Sequence, residues 1–271
     1  MLVWEAVVLG IVQGATEFLP VSSSGHLVLL QRFFGIEEGA LLFDTALHGG
    51  TLVVVLFVLR HDIWNILRRL FQPLTLYLVI ATIPAAVAAL LFKRRIEEAF
   101  ASASFLGFAF LVTSALLLLS EALYRRTEPR AREEMNLIDA LLIGILQAVA
   151  LIPGISRSGA TISAALSRRL DRDFAARFSF LLSIPAILGA FVLQGKELLE
   201  AGAGQKAELG IGSIGLLPIA AGVISAAVVA FFSLRLTLKI VREHSLLGFA
   251  LYTGALGILV LVYKFGKGLF F

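Results

Sequence analysis

Cysteine is absent from this 271-residue chain. Its absence excludes structural disulfides, zinc–thiolate sites, iron–sulfur clusters and thiol catalysis. Charge is scarce as well. Asp, Glu, Lys and Arg supply 15% of the residues, where a water-soluble domain carries about 25%. With 59% hydrophobic residues and a mean hydropathy of +0.93, the chain has too little polar surface for a soluble globule. It reads as an integral membrane protein. The segment Met1-Leu-Val-Trp-Glu5 lacks the basic n-region of a secretory signal, and Gln13 and Glu17 interrupt the apolar stretch behind it. That stretch is therefore expected to stay in the mature chain. No span carries a sustained polar stripe, which argues against a channel. The net charge of +4 is read as a sign of inside-facing loops, and no nucleic-acid partner is expected.

What is present is long apolar helix. A bilayer core about 30 Å thick needs roughly 20 mostly apolar residues, and six segments qualify: Leu41–Leu59, Leu74–Phe92, Phe105–Leu123, Phe174–Leu193, Ile214–Phe232 and Leu246–Tyr263. Charged connectors separate them, among them Arg60–Arg69, Lys93–Glu98, Tyr124–Glu134 and Arg235–Glu243. Two further apolar stretches, Ala6–Leu30 and Ala140–Leu166, are broken by Leu19-Pro-Val-Ser-Ser-Ser-Gly-His26 and Ile152-Pro-Gly-Ile-Ser-Arg-Ser-Gly159. Backbone freed by such breaks is tolerated at membrane depth only against protein or a wet cavity. Both are expected to be re-entrant helix–loop–helix hairpins.

An internal repeat organises these pieces. One constant offset lays Glu5-Ala6 on Asp139-Ala140, Gly10-Ile11 on Gly144-Ile145, Gln13 on Gln147, Ser22 on Ser156, Ser24-Gly25 on Ser158-Gly159 and Pro84 on Pro218. Repeat one covers about 1–123, a charged linker 124–138, and repeat two about 139–265, all within a single membrane domain. Each half holds one hairpin, which does not cross, and three spans, which do. Three is odd, so the second half must be inverted. The fold expected is all-α: two inverted repeats, each a re-entrant hairpin plus three transmembrane helices. Such repeats place the site where the broken helices meet near the midplane. Lys and Arg are more numerous in the connectors 60–73, 124–138, 167–173 and 233–245 than in the opposite ones. That bias puts both termini outside and the first hairpin entering from outside.

Ionisable groups in apolar segments mark sites by default. Glu17 follows Gln13 by one helical turn, so the two share a face. Its carboxylate is suited to ligating a divalent cation or to acting as general base. Ser22 is placed to cap the half-helix that follows it. Ser23 and His26 share a face, the spacing of a nucleophile and its acid–base partner. Arg157 needs an anion, either a substrate phosphate or Glu17. With Ser156 and Thr161 at a helix start it forms an oxyanion cradle. Gln13 and Gln147, equivalent under the repeat, are alternatively a hydrogen-bonded pair between the hairpins. Asp44 is read as a cap at the start of its span, and His48-Gly49-Gly50 as a close-packing point. Arg125–Glu134 is read as a solvated linker.

Gln13-Gly-Ala-Thr-Glu17, Phe18-Leu-Pro-Val-Ser-Ser-Ser-Gly-His26 and above all Pro153-Gly-Ile-Ser-Arg-Ser-Gly-Ala-Thr161 resemble the motifs of the bacitracin-resistance-type undecaprenyl-diphosphatase family. The resemblance extends over nearly the whole chain. It implies hydrolysis of undecaprenyl diphosphate to the monophosphate, which recycles the carrier lipid for peptidoglycan synthesis. It also implies a bacterial inner-membrane protein with its active site facing the periplasm and a divalent cation, magnesium or calcium, as cofactor. By position, Glu17, Ser23, His26 and Arg157 become the catalytic set, with Glu17 also the metal ligand. Gln13, Ser22, Ser156, Ser158 and Thr161 become the substrate-binding set. Many members have glutamate where this chain has Gln13, so two cooperating carboxylates are not available in that motif. The attacking group is either the Ser23 hydroxyl or water. Expected partners are the polyprenyl diphosphate lipid and the bilayer, with a homodimer also allowed. The type-2 phosphatidic acid phosphatases are set aside, because the chain lacks their Lys-x6-Arg-Pro string and has Ser163 where a second His is required. A transporter or scramblase of polyprenyl phosphate lipids is the alternative from another class.

Overall fold

The computed structural model describes residues 1–36, 40–102, 105–125, 128–131, 134–200 and 214–267. Arg126 and Arg132 of the joint, and Lys206 of the opposite connector, lie outside the described residues. Twelve helices and no strand occur among the described residues: α1 Val3–Thr16, α2 Ser23–Phe34, α3 Ala40–Val58, α4 Arg60–Arg68, α5 Pro73–Leu91, α6 Lys93–Ser102, α7 Leu106–Tyr124, α8 Leu137–Val149, α9 Arg157–Ser167, α10 Arg172–Glu200, α11 Leu216–Glu243 and α12 Leu247–Lys267. Six of these (α3, α5, α7, α10, α11 and α12) are long and apolar enough to cross a membrane. They fall on the six expected segments. The chain is a multi-pass membrane protein, and its outer surface says the same. Leu91, Val192, Leu217, Phe232, Leu251 and Phe265 all project outward, an apolar exposure far beyond the patches a soluble monomer carries.

Four of the expected connecting segments differ from expectation. The segment Arg235–Glu243 is no connector. It continues α11 without a break, and α11 runs 28 residues, about 42 Å at 1.5 Å per residue. Ser233, Leu234, Thr237 and Val241 continue its buried stripe at helical spacing beneath the charged face. Arg60–Arg69 and Lys93–Glu98 are also mostly helical, as the amphipathic α4 and α6. The joint between the halves is not simply a solvated loop either. Arg130 exchanges backbone hydrogen bonds with Arg169 and Asp171, and its guanidinium meets Asp139 at 3.0 Å.

Each broken stretch is a helix, a turn and a second helix: α1 and α2 around residues 17–22, α8 and α9 around 150–156. The first helix of each pair packs closely on a long helix of the other half. At Gly10, an added Cβ would stand 2.2 Å from the Gly222 carbonyl oxygen of α11, and at Gly14 it would stand 2.4 Å from that of Ala226. At Gly144 in α8, it would stand 2.5 Å from the Ala81 carbonyl oxygen of α5. Only glycine permits these approaches. Both turns are thereby pressed into the interior, each flanked by helices from the opposite half.

Candidate active site

The two turns touch. The Gly154 N–H donates to Ser24 Oγ (3.3 Å), and Ser158 Oγ donates to the Leu19 carbonyl (3.0 Å). Arg157 Nη2 meets Glu17 Oε1 at 2.6 Å across 140 residues of sequence. The structure therefore brings the two motifs into one cluster.

Each second half-helix starts at the contact. Ser22 caps α2 by accepting from the Gly25 N–H (3.2 Å), and Ser156 caps α9 by accepting from the Gly159 N–H (3.0 Å). Both serines are therefore N-caps. Gly154 holds φ +90°, open to glycine without strain, whereas Ser22 sits at φ 71°, a conformation that costs a side-chain-bearing residue about 1–3 kcal/mol. The free N–H groups of two helix starts converge here, an arrangement that favours an anion.

A cavity of about 280 Å³ opens on this cluster. Glu17, Ser22, Ser23, Ser24, Asp44, His48, Ser156 and Arg157 form its polar wall, and Leu41, Ile96, Phe100, Leu151 and Ile187 belong to its apolar one. Glu17 is the hub, its side chain 5% exposed. One carboxylate oxygen takes Arg157. The other accepts Ser23 Oγ–H at 2.7 Å and Gln13 Nε2–H at 3.1 Å, with His48 Nε2 at 3.4 Å.

The remaining expected residues stand elsewhere. Gln13 is fully buried behind Glu17 and does not line the cavity. Nor does it pair with Gln147: the Gln13 side-chain oxygen and both polar atoms of the Gln147 amide have no hydrogen-bond partner. His26 is not joined to Ser23. Its Nδ1 donates to the Ser22 carbonyl and its Nε2 lies against the Tyr252 hydroxyl, each at 2.7 Å. Ser158 is turned to Leu19. Thr161, one turn into α9, donates to the Arg157 carbonyl (2.9 Å) and meets Ser179 Oγ at 2.6 Å. Since Arg157 Nη1 donates to the Ser179 carbonyl (3.3 Å), Thr161 sits behind the guanidinium rather than at the cavity wall.

Asp44 and His48 take places that spacing did not assign them. Asp44 lies inside α3, buried, accepting from Gln31 Nε2 at 2.6 Å, so it is no helix cap. His48, one turn on, donates from Nδ1 to the Asp44 carbonyl (2.7 Å), which turns its Nε2 toward Glu17. The signal was available: two ionisable groups a helical turn apart within an apolar run.

No group of three or more His, Asp or Glu that could hold a metal occurs among the described residues. Both oxygens of Glu17 are already engaged by Arg157 and Ser23.

Six membrane-length helices around a buried carboxylate that joins a half-buried serine and a half-buried arginine define a multi-pass membrane protein. Residues 6–259 match the family described as bacitracin resistance protein BacA, and the chain belongs to that family. It is 44% identical to the undecaprenyl-diphosphatase of Carboxydothermus hydrogenoformans over 259 residues, 96% of either chain. Against undecaprenyl-diphosphatase 3 of Bacillus cereus the identity is 41% over 261 residues, covering 96% of this chain and 97% of the relative. The undecaprenyl-diphosphatase of Alkaliphilus metalliredigens is 37% identical over 283 residues, covering 97% and 99%.

Proposed function

We propose that this chain hydrolyses undecaprenyl diphosphate to undecaprenyl monophosphate and inorganic phosphate, recycling the carrier lipid for peptidoglycan synthesis and conferring bacitracin resistance. The observation that carries the reading is the joining of Ser23 and Arg157 on one carboxylate, Glu17, beside two capped helix starts in an intramembrane cavity.

In this mechanism the diphosphate enters against Arg157 and the amides that open α2 and α9, which stabilise charge developing on the terminal phosphate. Glu17 accepts the Ser23 proton as the serine oxygen attacks the terminal phosphorus. The bond from that phosphorus to the bridging oxygen breaks, and undecaprenyl monophosphate leaves with both electrons of the bond and takes up the proton held by Glu17, which becomes a carboxylate again. Water then attacks the phosphoserine. Its proton passes to Glu17, and Ser23 Oγ recovers a proton as phosphate departs. His48 orients the Glu17 carboxylate. His26 holds the Ser22 turn, and through it Ser23, in position. Gln13 and Thr161 support Glu17 and Arg157 from behind. A divalent cation would be held by Glu17 and would supply positive charge to neutralise the diphosphate.

The arrangement in the membrane is part of the same reading: two inverted repeats whose hairpins re-enter rather than cross. The reciprocal packing of α1 on α11 and α8 on α5 supports it. So does the gathering of Arg130, Arg168, Arg172 and Arg177 with their carboxylates around the outer ends of α7, α9 and α11. That end faces the cytoplasm of the inner membrane, leaving the cavity toward the periplasm.

The test is phosphate release by purified protein in detergent, followed by trapping of labelled phosphate on Ser23. A chain that only moved the lipid would release no phosphate without two compartments. Full turnover by a Ser23→Ala variant would remove the serine from the nucleophile's role.

A further inference from the structure

Resting on that reading, we propose that the apolar groove between α5, α6 and α8 seats the lipid's polyprenyl chain, with its first isoprene units running from the cavity past Ile96 and Leu151. The groove has a volume of about 530 Å³ and a nearly unbroken apolar lining that includes Ala88 of α5, Phe92 just past its end, Ile96 of α6, Ala148 of α8, and Leu151 and Ile152 of the turn that follows. Continuity selects it. Ile96 and Leu151 line both the groove and the polar cavity that holds Glu17 and Arg157. A second apolar groove, of about 420 Å³ between α2 and α12, shares no lining residue with that cavity.

The sequence builds the groove and its cover. Pro84, Ala88 and Ala148 are small where α5 and α8 flank the groove, which leaves the space unfilled. Helix α6 is amphipathic. Arg94, Arg95, Glu97 and Glu98 face outward, while Ile96, Ala99 and Phe100 turn in at helical spacing. It lies as a strap across the junction, with Phe100 on the cavity side and Ala99 on the groove side. The one charged lining residue, Arg95, has a side chain 84% exposed and stands at the rim. A molecule that fits both spaces at once has an anionic head and a branched hydrocarbon tail attached directly to it. Phe92, which lines the groove, is itself exposed and follows the exposed Leu90 and Leu91, so the rest of a long chain can continue into the bilayer. A folded partner would not supply that shape.

Two measurements on the full chain in detergent test this. The first uses a prenyl diphosphate with a photoreactive diazirine on its second isoprene unit. Label is expected on the peptides carrying Ala88–Ile96 and Ala148–Ile152; label confined to α2 and α12, or spread over the lipid-facing surface, overturns the proposal. The second is steady-state phosphate release from undecaprenyl diphosphate by Ala88→Phe and Ala148→Trp, with Leu259→Trp filling the other groove as control. Displacing a few buried isoprene carbons should raise KM about tenfold with kcat within twofold, and leave the control unchanged. An unchanged KM in both groove variants, or the same rise in the control, overturns it. Groove labelling by a protein that releases no phosphate would leave the tail site standing and the hydrolytic reading refuted. Phosphate release with label elsewhere would do the reverse.

Discussion

If Ser23 and Glu17 form one proton-transfer unit, their loss should not add. Ser23 Oγ–H points at Glu17 Oε2 over 2.7 Å, and the other carboxylate oxygen is fixed by Arg157 at 2.6 Å. The carboxylate is thus held toward the serine. Glu17→Gln preserves the volume but removes the base, and Ser23→Ala removes the group on which the base acts. Each single change is expected to lower kcat/KM by roughly 10²–10⁴, or about 3–5 kcal/mol in the barrier. The double variant should then be no slower than the slower single one, a coupling energy as large as the smaller single effect. Two residues with independent duties would instead multiply, to roughly 10⁴–10⁸. The assay is single-turnover phosphate release from undecaprenyl diphosphate in micelles, with thermal melting of each variant to show that the fold survives. Multiplicative losses, or a Ser23→Ala enzyme within twofold of the parent, would refute the assignment.

Arg157→Lys keeps the charge but not the planar fork that holds Glu17, and should lower kcat by about 10²–10³ in the same assay; an unchanged rate removes Arg157 from the phosphate cradle. Gly14→Ala places a Cβ 2.4 Å from the Ala226 carbonyl oxygen and should destabilise the protein by about 1–3 kcal/mol or more. A melting temperature equal to the parent's would contradict the close packing of α1 on α11. Glu121→Ala leaves Arg172 without its two-pronged partner (2.9 and 2.7 Å) and should cost about 3–5 kcal/mol of stability. Its kcat per folded molecule should stay near the parent's, and a selective loss of kcat would tie that distant pair to catalysis. His26→Ala should slow turnover by releasing the Ser22 turn, while Tyr252→Phe, which removes one neutral hydrogen bond worth about 1 kcal/mol, should change kcat by less than tenfold. Equal losses in both would instead point to a proton path through the tyrosine.

The spans were legible because length and apolarity are what a bilayer requires of a helix, and both are written in the order of residues. The breaks were legible for a related reason. Pro20 and Pro153-Gly154 favour a break in a helix, and serines placed beside such a break cap the next one, as Ser22 and Ser156 do. The end of α11 was hidden by its charges. Arg235, Lys239 and Arg242 read as a connector, although Ser233, Thr237 and Val241 kept the inward stripe going at helical spacing. Asp44 and His48 were hidden differently. A carboxylate near the start of an apolar run looks like a cap, and that Glu17 is what His48 faces follows from the position of α3 beside α1.

Spacing within one helix says which side chains share a face, and is silent on what stands opposite. Ser23 and His26 share a face of α2, but the neighbour of Ser23 is Glu17 from the turn after α1 and that of His26 is Tyr252 from α12, 226 residues further on. The hydroxyls of α9 sharpen the point. A helix start rich in serine and threonine invites assigning all of them to a ligand, yet only the cap and the residue after it reach the open end. Ser156 and Arg157 line the cavity, whereas Thr161, one turn deeper, can return its proton to the Arg157 carbonyl, the backbone bond that Ser and Thr favour inside helices. The depth of a hydroxyl from the helix start, more than its presence in the motif, decides whether it faces substrate or braces the residue that does.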